Sequence, residues 1–167
     1  MSNQLRWCPL VEGIKIPTKT QHAAGYDIYT IENNVWLKPH TSHLFATGLG
    51  VATPDNTWLM IFDRGSTGSK GLHVHCGVVD EDYRGHLFIC IKNDNPYPVL
   101  ISDQKAAGFH RTWYGRRYFV YSPVKAIAQG ILVPMQNVES VAIDAQEWAR
   151  LYNESERKDG KLGSSGK

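Results

Sequence analysis

Apolar residues along the chain fall in short runs rather than in helical stripes. Leu5–Leu10, Tyr26–Ile31, Val35–Leu37, His43–Thr47 and Trp58–Phe62 begin the series. Leu72–His75, His86–Lys92, Tyr118–Tyr121, Ile127–Val133 and Val138–Ile143 complete it. The runs are rich in β-branched and aromatic side chains, and most are parted by turn formers such as Thr53-Pro54-Asp55-Asn56 and Asn93-Asp94-Asn95-Pro96. This spacing predicts an all-β sandwich or barrel rather than a parallel sheet with crossover helices. Many runs lack alternation, which predicts burial on both faces. One helix is expected over Ala145–Tyr152, with Asp144 as N-cap and Glu147 three residues on.

Composition narrows the picture. A chain of 167 residues makes one domain, and a formal charge of +2 means that any anion site is local. A nucleic-acid groove across the whole surface is therefore not expected. No apolar run has the length of a membrane span, and Met-Ser-Asn-Gln does not begin like a signal peptide, so a cytoplasmic protein without membrane contact is expected. Cys8, Cys76 and Cys90 form no CxxC pair and read as reduced thiols.

The densest chemistry lies in Gly77-Val-Val-Asp-Glu-Asp-Tyr-Arg-Gly85. A strand-turn-strand here would hold Asp80 rigidly beside the Tyr83 ring, and a carboxylate so held suits a general base. A turn whose aspartates satisfy backbone amides fits the same residues. Arg64, on a Gly/Ser-rich turn, can offer a guanidinium fork and backbone amides to one anion, or be a solvated loop arginine. Gln129 sits among apolar neighbours, where a buried amide needs partners. His73 and His75 share one face of a strand but lack a third ligand close in sequence.

These segments resemble the signature motifs of the trimeric dUTPase family, in order. Ala24-Gly25-Tyr26-Asp27-Ile28 is similar to the first motif, Arg64-Gly65-Ser66 stands at the second and Gly77–Gly85 matches the third except for one Val/Ile exchange. Ile127-Ala128-Gln129 falls on the fourth, and Gly163-Ser164-Ser165-Gly166 on the end of the fifth. The resemblance implies a jelly-roll, β-barrel-like domain that forms a homotrimer and hydrolyses dUTP to dUMP and pyrophosphate with Mg2+. It implies that Asp80 activates the water attacking the α-phosphorus, with Gln129 near that water and the phosphates. Tyr83 would select deoxyribose, and main-chain groups around Gly77 and Val79 would pair with uracil. Arg64, Gly65, Ser66, Arg157, Gly163 and Ser164 would surround the phosphates, Leu162 would cover the base, and Asp27 would reach the metal through water. Residues 1–153 would then form the β domain, with an insertion at about 96–124, and 154–167 an arm closing on the nucleotide.

Departures bear on that expectation. The usual Arg-Ser-Gly order is Arg64-Gly65-Ser66 here, which in a strand or turn redirects the hydroxyl unless the local backbone compensates. Lys125 and Ala126 replace an acidic residue and an Arg before the fourth motif. Leu162 replaces a Phe, losing aromatic stacking worth roughly 1–3 kcal/mol per base, and Lys158 and Lys161 replace glycines. The insertion carries His110-Arg-Thr-Trp-Tyr-Gly-Arg-Arg-Tyr-Phe119, an interleaving that suits a phosphate or nucleic-acid surface, or a hairpin whose rings pack on the barrel. It is similar to an extra segment of dUTPases from phages of Gram-positive bacteria, some of which bind regulatory proteins. A member that kept the barrel but acts by binding, or a pyrophosphatase for another deoxynucleotide, are the competing readings.

Overall fold

The computed structural model describes residues 3–156, and it is all-β apart from two helices. The strands are β1 (Arg6–Pro9), β2 (Tyr26–Ile28), β3 (Val35–Leu37), β4 (Ser42–Ala46), β5 (Leu49–Ala52) and β6 (Thr57–Phe62). After the one-turn helix α1 (Gly65–Gly68) come β7 (Leu72–His75), β8 (Val78–Val79), β9 (Phe88–Asn93) and β10 (Val99–Ile101). Then follow β11 (Gly108–Arg111), β12 (Arg117–Tyr121), β13 (Ala128–Pro134) and the helix α2 (Ala145–Glu154). Two compact units result, Met1–Met135 and Gln136–Lys167.

The first unit is a jelly roll. Its sheets run β2-β13-β6-β8, β4-β9-β7 and β11-β12-β10-β3, with β1 paired to β5. Alternation along β9 sends Ile89 and Ile91 inward, each about 1–2% exposed, while Phe88 faces out. The same rule brings Ile28, Leu37, Phe45, Leu59, Leu72 and Val99 into one core. β10 is buried on both faces, because Leu100 packs with Tyr118 and Val120 in a small second cluster. Burial on both faces was expected for many runs; β4, β6 and β9 alternate instead. Asn93, fully buried, spreads its amide over the carbonyls of Leu37, Lys38 and Tyr97 at 3.0–3.2 Å and so pins the start of the insertion to the barrel.

The segment expected as an insertion, 96–124, contains β10 and a hairpin of β11 and β12, with β12 running parallel to β10. The packing of its aromatic residues differs from one to the next. Tyr118 is buried and Phe119 packs on the core, whereas Trp113 is 96% exposed at the turn. In the second unit Asp144 accepts the Glu147 N–H at 2.8 Å, which opens α2 where expected. Val138–Ile143, expected as a strand, is not one: it has no strand assignment, and Val138, Val141 and Ile143 stay exposed. β-branched composition favours a strand only where a sheet edge is there to pair with it.

Candidate functional site

Two cavities are lined by residues singled out in the sequence, and their linings share no residue. The first, about 610 Å³, is built where β2 and β6 flank β13. Antiparallel register sets Gln129 opposite both Asp27 and Phe62, so the chain leaves β6 at Asp63-Arg64 beside both polar side chains. Arg64 grips Asp27 with two bonds, Nε to Oδ1 at 2.8 Å and Nη2 to Oδ2 at 3.1 Å. Its other terminal nitrogen donates to the Ala126 carbonyl at 3.4 Å. Asp27 is thus the immediate partner of Arg64, a pairing the sequence motifs do not reveal.

Arg64 also opens α1. Its N–H donates to Thr67 Oγ1, and that hydroxyl donates back to the Arg64 carbonyl, both at 3.0 Å. Residues 65–68 form one helical turn, which sets the direction of the displaced hydroxyl. Gly65 and Ser66 both line the cavity, and the buried Ser66 Oγ has no hydrogen-bond partner among the described residues. An unpaired buried hydroxyl is unfavourable unless a ligand satisfies it. Lys19 and Lys125 complete the wall. Sequence reasoning noted Lys125 only as a departure and passed over Lys19; charge beside the motifs was the available signal.

Gln129 is held by donating to the Asp63 carbonyl at 2.8 Å. Asp63 in turn binds His73 Nδ1 through its carboxylate at 2.7 Å, which fixes the corner from two sides. Gly25 has the closest role here: a Cβ on it would lie 2.6 Å from Gln129 Oε1. Gly25→Ala is therefore expected to turn the Gln129 amide out of place and lower kcat at least tenfold while Tm moves by only a few degrees. Paired kinetics and thermal melts check this.

The second cavity, about 600 Å³, is lined by Asp80, Glu81, Asp82, Trp58, Val78 and Met135. Gly77–Gly85 was expected to be a strand-turn-strand hairpin. Its arms instead enter different sheets, since β8 pairs with β6 while β9 pairs with β4 and β7. Cys76 has φ of +56°, outside the usual range for an L-residue, and the Gly77 carbonyl then accepts the Ile61 N–H at 2.7 Å. This sharp corner carries Val78 and Val79 onto β6 and leaves Asp80 at the mouth. The Tyr83 N–H closes a turn on the Asp80 carbonyl at 3.2 Å, leaving the exposed carboxylate without a donor among the described residues. Tyr83 donates its hydroxyl to the His86 carbonyl at 2.7 Å and lies over Gly85, which keeps the ring fixed. Trp58 and Met135, absent from the sequence-based assignment, form the apolar wall beside Asp80.

His73 is engaged by Asp63 and His75 is exposed; among the described residues no three His, Cys, Asp or Glu side chains gather as a metal cluster. Cys8, Cys76 and Cys90 are free thiols, and burial, with Cys76 close by, pushes the Cys90 thiol up from its ordinary pKa. Arg157, Leu162, Gly163 and Ser164 lie outside the described residues.

An all-β jelly roll with a cationic cavity at one corner and an aspartate on a rigid loop at another defines a protein built to handle a phosphorylated ligand. Comparison with known proteins agrees. The dUTPase family model matches residues 12–107. A probable deoxyuridine 5'-triphosphate nucleotidohydrolase of Schizosaccharomyces pombe is 33% identical over 101 residues, covering 58% of this chain and 71% of that protein. The corresponding protein of Hydrogenobaculum is 28% identical over 150 residues, 88% of this chain and 86% of that one. The dUTPase of Staphylococcus bacteriophage 80alpha, solved with dUpNHpp, superposes with a TM-score of 0.74 at 27% identity, covering 99% of this chain and all of that one. The dUTPase of phage phi11 of S. aureus, whose structure visualises a species-specific insert, gives 0.67 at 25% over 85% and 97%. The chain belongs to the dUTPase family. It is an enzyme of the dUTP diphosphatase class, similar in fold to the phage members.

Proposed function

We propose that the protein hydrolyses dUTP to dUMP and pyrophosphate, with Asp80 activating the water that attacks the α-phosphorus. One observation carries this reading: the Gly77–Gly85 corner holds an exposed, donor-free Asp80 carboxylate in the wall of a cavity of nucleoside size, three residues before a tyrosine whose hydroxyl is tied to the His86 carbonyl. Tyr83 then packs on the sugar and excludes a 2′-hydroxyl, and the main chain around Gly77 and Val79 pairs with uracil.

The phosphate side is the cavity of Arg64, Ser66, Gln129, Lys19 and Lys125. It shares no lining residue with the Asp80 cavity, which supports a site assembled from neighbouring copies in a homotrimer. Arg157, Leu162, Gly163 and Ser164 would close on the bound nucleotide and exclude water.

The donor set suits Mg2+ held mainly by the triphosphate. Magnesium keeps several waters and needs only one or two carboxylates, and the cavity offers the single carboxylate Asp27, already bonded to Arg64. Asp27, with the Gln129 amide, would therefore hold the ion through water. Bound Mg2+ supplies charge neutralisation along the triphosphate. Gln129 orients the water, and Arg64 with the lysines holds the departing pyrophosphate.

Lys125 takes the place of an acidic family residue, so this chain gains cationic charge where the phosphates would lie. Lys125→Ala is expected to raise KM for dUTP about fivefold to tenfold, with little change in dUMP inhibition. The gap should shrink at high salt, as for a partly exposed charge. Steady-state kinetics at two ionic strengths measure it; equal effects on both ligands would place Lys125 away from the β- and γ-phosphates. The reading as a whole is tested by pyrophosphate release from dUTP, dCTP, dTTP and UTP. Preference for dCTP would change the base assignment, and no turnover at all would favour a binding protein.

A further inference from the structure

A third cavity, about 730 Å³, shares no residue with either reaction cavity. It lies between the insertion hairpin and β3, and its wall includes Trp36, Lys38, Tyr97, Tyr114, Arg116 and Arg117. Three cations and four aromatic rings meet there, counting Tyr118, and no carboxylate lines the cavity. Two of these rings are open to solvent, Trp36 at 51% and Tyr114 at 61% exposed, while Tyr118 is buried beneath them, and Trp113 is 96% exposed at the hairpin turn.

These groups are held in place before any ligand arrives. Trp36 leans on Tyr118 with ring centres 5.0 Å apart. The Arg117 guanidinium lies 3.6 Å over the Phe109 ring, and Arg116 stands 5.7 Å from the centre of Tyr114. The turn is closed by Thr112 N–H to the Arg116 carbonyl at 2.8 Å and Gly115 N–H to the Thr112 carbonyl at 2.9 Å, with Gly115 at φ of +86°. Arg111 ties the same turn by donating to the Gly115 carbonyl at 3.1 Å. Ordered, exposed rings alternating with cations form the pattern that binds unpaired bases by stacking and the intervening phosphates by charge. A lone anion would leave the rings unused, and an apolar protein segment would bury cations without partners.

We propose that the cleft and hairpin turn bind single-stranded nucleic acid, without strong base preference, away from the reaction site. Bases stack on Tyr114, Trp113 and Trp36, and phosphates lie on Arg116, Arg117 and Lys38.

The test is fluorescence anisotropy of labelled dT12 with the full chain, in excess dUMP to occupy the reaction site. Binding is expected with a slope of log K against log salt of about −2, as three phosphate contacts on a single strand dictate. Tyr114→Ala and Arg116→Ala should each weaken it about tenfold while dUTP turnover stays unchanged. Absence of binding at low salt would overturn the proposal. So would equal binding of a poly-glutamate peptide with no effect of Tyr114→Ala, because the surface would then suit an acidic protein partner.

Discussion

Asp80→Asn is expected to lower kcat for dUTP by about 10²–10⁴-fold, the usual contribution of a positioned general base. KM and the affinity for a non-hydrolysable dUTP analogue should change by less than about threefold. The asymmetry follows from the geometry. The carboxylate is exposed and accepts no hydrogen bond from the described residues, so neither the turn nor the core depends on its charge. Asparagine preserves the shape and removes the lone-pair charge that accepts the proton. Thermal unfolding should therefore be unchanged, and a large fall in Tm would mean that Asp80 serves the fold. A substitution that weakens binding and rate equally would make Asp80 a contact to the sugar and leave the base unidentified.

Arg64→Lys should be nearly as damaging as Arg64→Ala, each lowering kcat/KM about 10–100-fold, the range for losing one charge-assisted hydrogen bond. Lysine keeps the charge but cannot form the two-point contact with Asp27 or reach the Ala126 carbonyl at the same time. The Arg64 backbone also opens α1, whose turn carries Ser66. Those bonds are main-chain, so α1 itself should survive the substitution. Asp27→Asn tests the same contact from the other side. Its loss should resemble Arg64→Lys, and combining the two should cost less than the sum, because each removes one shared interaction. Additive losses would show that Asp27 acts apart from Arg64, through the metal's waters alone.

Local signals were read well from sequence. β3 and β7 lie where their runs of apolar and β-branched residues put them, and α2 opens at Asp144 because its cap and capping partner are three residues apart. What escaped depends on distant chain. β5 is Leu-Gly-Val-Ala, which composition alone does not mark as a strand, yet it pairs with β1 and sends Leu49 and Val51 into the core. β11 is Gly-Phe-His-Arg, a strand only because β12 offers it an edge. Val138–Ile143 erred the other way, with strand composition and no edge.

The site divides similarly. Asp80 and Tyr83 are legible because the third motif is contiguous. The grip of Arg64 on Asp27 spans 37 residues and arises from β13 lying between β2 and β6. Lys19 reaches the same wall from a loop outside the motifs and Lys125 from a position where the fourth motif is usually acidic, and Gly25 matters through the Gln129 side chain. Motif spacing cannot express these relations, because each is made by strand order.

Hydrolysis in water enriched with oxygen-18 tests the central claim most directly. With dUTP and Mg2+, attack on the α-phosphorus by Asp80-activated water puts one labelled oxygen into dUMP and none into pyrophosphate, at a rate that collapses in Asp80→Asn. Label found in pyrophosphate, or turnover that survives the substitution, would contradict it.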